Sequence, residues 1–149
     1  MRINEISGAI VDSAMKIHSA LGPGLLESVY VACLRHELNN RGFGTGVQVS
    51  LPVIYEGVRL NLGFRLDILV ENLVIIEIKA VDAISPIHQA QLLTYLKLSQ
   101  KHVGLLINFN VVHLRDGIRR MVNGKPPSEL VGRGTSVSSV SSVVNSKVS

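Results

Sequence analysis

Apolar residues recur every three or four positions at the start of the chain: Ile3, Ile6, Ile10, Ala14, Ile17 and Leu21. With 3.6 residues per turn, that spacing lays one apolar stripe along an amphipathic helix. Gly22-Pro23-Gly24 interrupts the pattern. A second helix is expected from about Leu25 to Asn40, with Leu26, Val29, Tyr30, Cys33, Leu34 and Leu38 turned inward and Gly42 placed to end it. The period then changes to two. Val47, Val49, Leu51, Val53 and Tyr55 alternate with polar residues, which predicts a half-buried strand, and Pro52 within it suggests an edge or a bulge. After a turn at Glu56-Gly57, every even position from Val58 to Val70 is apolar, predicting a second strand. A tight turn near Glu71-Asn72 leads to a third strand carrying Val74, Ile76, Ile78 and Ala80, so the three form an antiparallel meander.

Ser85-Pro86 reads as an N-cap followed by proline at the first helical position, opening a helix that runs to about Gln100. The continuous apolar run Val103 to Ile107 predicts a strand covered on both faces, and a strand-helix-strand unit favours a parallel crossover. A further strand is expected near Val111 to Arg115, followed by an ambiguous stretch to Val122. From about Asn123 the composition turns to Ser, Val, Gly and Pro without period. The expectation is a domain over residues 1–122 and a mostly disordered tail over 123–149.

Composition narrows the functional classes. A hydrophobic share of 46% with 17% charged residues belongs to a globular chain. One cysteine, Cys33, excludes a disulfide framework and a cysteine-based zinc site, and it fits a reducing compartment. The first fifteen residues break their apolar content with Asn, Glu and Asp, unlike a signal peptide, and no apolar run approaches the roughly 20 residues that span a bilayer. The expectation is a cytoplasmic protein away from membranes. A net charge of +4 is compatible with a polyanionic partner. With no Trp and 4% aromatics, a base-stacking platform is disfavoured. His18, His36, His102 and His113 show no zinc-ligand spacing.

The hairpin over 58–80 carries the candidate chemistry. A turn centred on Asn72 sets Asp67 opposite Glu77 and Arg65 opposite Lys79. Opposed residues share a face with Cβ atoms ~5 Å apart, so Asp67, Glu77, Lys79 and Arg65 are expected together, opposite the face of Leu66, Ile68, Ile76 and Ile78. Two facing carboxylates repel unless something neutralises them. Arg65 and Lys79 are one solution, which would make the cluster a salt-bridged polar face. A divalent cation is the other, since Mg²⁺ is commonly held by one or two carboxylates plus water and phosphate oxygens. Such an ion lowers the pKa of bound water, and Lys79 could orient that water.

Gly24-Leu25-Leu26-Glu27-Ser28-Val29-Tyr30 carries a Gly-x-x-Glu-x-x-Tyr signature, and GFRLDILVE, VIIEIKAVD, HQAQLLTYL and VGLLINF follow in order. Over about residues 5–122 the chain resembles the GxxExxY proteins, a group placed in the PD-(D/E)XK nuclease superfamily. The resemblance implies an α/β fold of the restriction-endonuclease type, with an α-β-β-β-α-β core and a mixed central sheet flanked by helices. It implies a nuclease using Mg²⁺ or Mn²⁺ on nucleic acid, DNA ahead of RNA. Asp67 would be the first motif acid and Glu77-Ile78-Lys79 the acid-x-lysine element, although Leu66 stands where the superfamily's proline would be. Glu27 resembles an additional acid on the first core helix, and Gln91 a supporting glutamine.

Other roles compete for several of these residues. Glu27 in the first turn of a helix also complements the macrodipole. Gln91 shares a helix stripe with His88 and Tyr95, as boundary residues do. Arg35, Arg59, Arg65 and His88 are candidate phosphate contacts, although solvated faces account for the arginines and ordinary hydrogen bonding for the histidine. The alternative function is a catalytically inactive member of this fold that binds nucleic acid or a partner protein. A homo-oligomer built on an exposed strand edge, or a recruiting protein, would be compatible with either reading.

Overall fold

The computed structural model describes residues 2–124, so most of the stretch expected as a tail lies outside the described residues. The elements run α1 (Ile3–Leu21), α2 (Glu27–Asn40), β1 (Thr45–Ser50), β2 (Val53–Tyr55), β3 (Val58–Leu60), β4 (Arg65–Val70), β5 (Val74–Lys79), α3 (Pro86–Ser99), β6 (Val103–Asn108), a 3₁₀ turn at Leu114–Gly117 and β7 (Ile118–Val122). Five strands make one sheet in the order β1-β4-β5-β6-β7. The β5–β6 pair is parallel and the other three are antiparallel, because α3 carries the chain back to the start of the sheet between β5 and β6. The result is the expected α/β architecture, a mixed central sheet flanked by helices.

Helices cover both faces. Ile6, Ile10, Ala14 and Ile17 of α1 and Tyr30, Leu34 and Leu38 of α2 pack with Ile68, Ile76, Ile78, Leu105 and Ile107. On the other face Leu92, Tyr95 and Leu96 of α3 pack with Leu66, Ile75, Leu106 and Met121. Every residue of β6 is buried, as its unbroken apolar run predicts. Gly104 allows the close approach of α3, since a Cβ there would stand 2.9 Å from Leu92 Cδ1.

The period-two segments fold differently from the expected meander. The stretch from Val58 to Val70 is two strands, broken at 61–64, and β2 and β3 form a separate two-stranded hairpin inserted between β1 and β4. Its loop residues Glu56 and Gly57 both take positive φ, as a two-residue hairpin requires. Pro52 lies between β1 and β2, outside either ladder. Leu62 and Phe64 keep the alternation yet are exposed, so they belong to the hairpin stem and not to the core.

Two further expectations are corrected. No strand forms at Val111 to Arg115; that segment bends into the 3₁₀ turn, and the last strand is Ile118–Val122. Adjacent Arg119 and Arg120 hide β7 in the sequence, because its buried residues Ile118 and Met121 lie three apart and face opposite cores. Leu26, expected to face inward, precedes α2 in extended conformation and is 74% exposed, and Val29 is also exposed.

Candidate active site

The β4–β5 ladder joins Val70 to Val74, Leu69 to Ile75 and Ile68 to Ile76, the register expected from a turn centred on Asn72. Glu71 and Asn72 both adopt positive φ, and the Leu73 N–H closes the turn onto the Val70 carbonyl. Beyond Ile68–Ile76 the ladder stops. Here the backbone N–H of Asp67 donates to Glu77 Oε2 at 3.0 Å, and that of Ile78 donates to Asp67 Oδ2 at 2.8 Å. Each carboxylate therefore occupies a donor on the opposite strand. The exchange satisfies backbone groups that the sheet would otherwise pair, and it fixes both acids at one spot.

The opening is accompanied by a change of face. Val47 and Ile68 belong to the core under α1 and α2, whereas Val49 and Leu66, two residues along the paired strands, belong to the core under α3. Regular strands keep i and i+2 on one face. The switch falls at Gln48 and Asp67, and Gln48 carries a positive φ of 52°. Leu66 thus does not share a face with Ile68, and Arg65 sits exposed at the start of β4. Arg65 is absent from the charges that act on either acid; Lys79 is the cation that lowers both pKa values.

Burial dominates the electrostatics. Glu77 is 6% exposed, and desolvation followed by the Asp67 charge pushes its pKa up to about 7, against the pull of the Asp67 N–H and Lys79. Asp67 is also raised, mainly by burial, with the Ile78 N–H and Lys79 opposing and Glu27 adding to the rise. Among the described residues Asp67 Oδ1 and Glu77 Oε1 accept no hydrogen bond, and Lys79 forms no ion pair within 4.0 Å.

Glu27 opens α2 and accepts the Ala80 N–H at 3.1 Å, one residue beyond Lys79. Its charge raises the pKa of both Asp67 and Glu77. Three acids from three elements therefore converge at the end of β5, although among the described residues no three His, Cys, Asp or Glu side chains are gathered closely enough to hold a metal ion on their own. The donor chemistry nonetheless fits a hard divalent cation: two constrained carboxylates, each with one oxygen unbonded, and too much buried negative charge.

The remaining candidates are placed by three other elements. Gln91 is exposed on α3 one turn before Tyr95, Arg35 is exposed on α2, and Arg59 is exposed on the β2–β3 hairpin. His88 Nδ1 accepts the Ser85 N–H and so helps cap α3. Among the described residues no hydrogen bond or ion pair joins these side chains to the acids.

Two neighbours of the site were not singled out by sequence. Burial, followed by the charges of Glu77 and Asp67, raises the pKa of Tyr95; its position four residues after Gln91 is the available signal. Asn108 is 1% exposed and straps the end of β6 to the residue after Ala80. Its Oδ1 accepts the N–H groups of Val81 and Asn110, and its Nδ2 donates to the Val81 carbonyl. A polar residue ending an apolar strand was the only hint.

Fold and site together define a nuclease-type α/β domain, in which a mixed sheet opens around an acid pair beside a lysine. The chain belongs to the PD-(D/E)XK nuclease superfamily, whose family model matches residues 4–121. Members of that superfamily are usually nucleases and generally use Mg²⁺ or a similar divalent metal. No curated protein and no solved structure matches the chain significantly. Among the described residues no helix is long and apolar enough to cross a membrane.

Proposed function

We propose that this protein is a Mg²⁺- or Mn²⁺-dependent nuclease of the GxxExxY group that hydrolyses phosphodiester bonds in nucleic acid, with DNA as the preferred substrate. The observation that carries the reading is the reciprocal locking of Asp67 and Glu77, which holds a half-buried and a buried carboxylate together against their repulsion. A bound divalent ion would supply Lewis-acid activation of water and neutralise the phosphate. Asp67 and Glu77 would hold it through their unbonded oxygens, with Glu27 contributing from α2. Lys79, free of any acidic partner within 4.0 Å among the described residues, would orient the attacking water and offset charge at phosphorus. Gln91 would line the pocket beside Tyr95, and Arg35, Arg59, Arg65 and His88 would meet the substrate backbone. The lone, unpaired Cys33 suits action in the cytoplasm.

A second reading, a non-catalytic member of the fold that binds nucleic acid or a partner protein, draws on the absence of three gathered metal-ligating side chains among the described residues. The two readings separate on a mixed panel of DNA and RNA with Mg²⁺ or Mn²⁺. Wild type should cleave, Asp67→Ala should not, and Lys79→Ala should cleave far more slowly; equal behaviour of all three proteins would end the nuclease reading.

A further inference from the structure

A cleft of about 570 Å³ lies between the end of α1 and the loop that joins β6 to β7. Its lining includes His18, Ser19, Pro23, Val112, His113 and Arg115, and it contains no carboxylate side chain. Arg115 and His113 are exposed, and among the described residues Arg115 has no ion pair or side-chain hydrogen bond. A concave surface that collects a guanidinium, the His113 imidazole and a hydroxyl without an acid is chemically suited to an anion.

The cleft shares its framework with the acid pair. Phe109 donates its N–H to the carbonyl of Lys79 at 3.0 Å, and three residues later Val112 forms the cleft wall. Three residues of chain reach at most roughly 11 Å, and with the 3.0 Å hydrogen bond this bounds the distance from the Lys79 carbonyl to that wall at about 14 Å. The opposite wall is fixed as firmly. His18 Nε2 donates to the Val111 carbonyl at 2.8 Å, Phe109 stacks on Tyr30 at 4.3 Å, and the Tyr30 hydroxyl donates to the Gly22 carbonyl at 2.6 Å. The same short connection then delivers Glu27 to Ala80 beside the acids. The helix C-terminus at Gly22 would repel an anion, but its His18 carbonyl is capped by the Gly22 N–H and its Gly22 carbonyl by Tyr30.

We infer that this cleft is a backbone-phosphate subsite for the nucleic acid, with Arg115 and His113 gripping a phosphate a few nucleotides from the one at Asp67 and Glu77. A strand carries one phosphate per ~3.4 Å of helix axis, so the backbone link between the end of β5 and the cleft wall spans at most about four nucleotides. The subsite takes its substrate class from the nuclease reading, but its binding can be measured without catalysis.

The test is binding of a short labelled DNA, single-stranded and duplex, to the full chain in EDTA across a salt series. Wild type is compared with Arg115→Ala, with the double variant His113→Ala/Arg115→Ala, and with Lys97→Ala as a control that removes one charge from exposed α3 surface. The double variant should bind about tenfold more weakly with a salt slope shallower by about one, its melting temperature unchanged, while Lys97→Ala stays near wild type. A double variant that binds like wild type, or a Lys97→Ala that loses as much, overturns the subsite. Wild type that binds through Arg115 but never cleaves would sink the nuclease reading and leave the cleft standing. Cleavage by a protein whose binding ignores Arg115 and His113 would do the reverse.

Discussion

At the scale of single residues, the site is a conflict between burial and charge. Glu77 in the metal-free protein holds its proton up to about pH 7 because a buried carboxylate beside Asp67 is costly to ionise. In the unfolded chain it ionises near its ordinary value of 4.5. Between these pH values the folded state binds more protons, so this group's contribution to stability is intact below pH 4.5 and lost as pH rises through 7. Glu77→Gln removes the penalty. At pH 8 in EDTA it should raise unfolding free energy by on the order of 2 kcal/mol, and chemical denaturation at pH 5 and pH 8 should show the gain concentrated at the higher pH. Lys79 moderates the same charges, so Lys79→Ala should lower metal-free stability at pH 8, and if the nuclease reading holds it should cost roughly 10²–10⁴ in cleavage rate. The pairing of Asp67 with Glu77 was legible in sequence because hairpin register follows from turn position. The companion role given to Arg65 was not, because the change of face at Gln48 and Asp67 leaves no mark on the alternation of residue types.

Among elements, the decisive feature is how strands end. β4 and β5 part after Ile68–Ile76, and the end of β6 is bound to the segment after β5 through Asn108. Gly117 keeps that arrangement possible, since a Cβ there would collide with the carbonyl oxygen of Asn108, a backbone atom that cannot rotate away. Gly117→Ala should therefore destabilise the fold by about 1–3 kcal/mol, read by denaturant unfolding, and should disturb the site through Asn108 and Val81. Helix boundaries were largely legible: the apolar stripe of α1, the Gly22-Pro23-Gly24 break and the Ser85-Pro86 start all stand where periodicity and caps put them. The alternation from Val58 to Val70 runs across two separate strands for a physical reason. Alternation of residue types does not say which positions the sheet covers, so Leu62 and Phe64 continue the pattern while both are exposed between β3 and β4. Leu26 failed similarly, because helical spacing was extended one residue past the true start of α2.

For the molecule as a whole, a five-stranded sheet is closed on one side by α1 and α2 and on the other by α3, and both layers contribute to one end of the sheet. Glu27 arrives from the α2 layer and Tyr95 from the α3 layer, with the acids between them on β4 and β5. This convergence explains why a buried charge is tolerated there: the surrounding packing over-determines the position of each acid. The proposed nuclease activity requires Asp67 and Glu77 together to seat a divalent cation. Isothermal titration of the metal-free protein with Mn²⁺, in parallel with Asp67→Ala, tests it without any assumption about substrate. Saturable binding by wild type that disappears in the variant is the predicted result; no binding by wild type, or equal binding by both proteins, would contradict it.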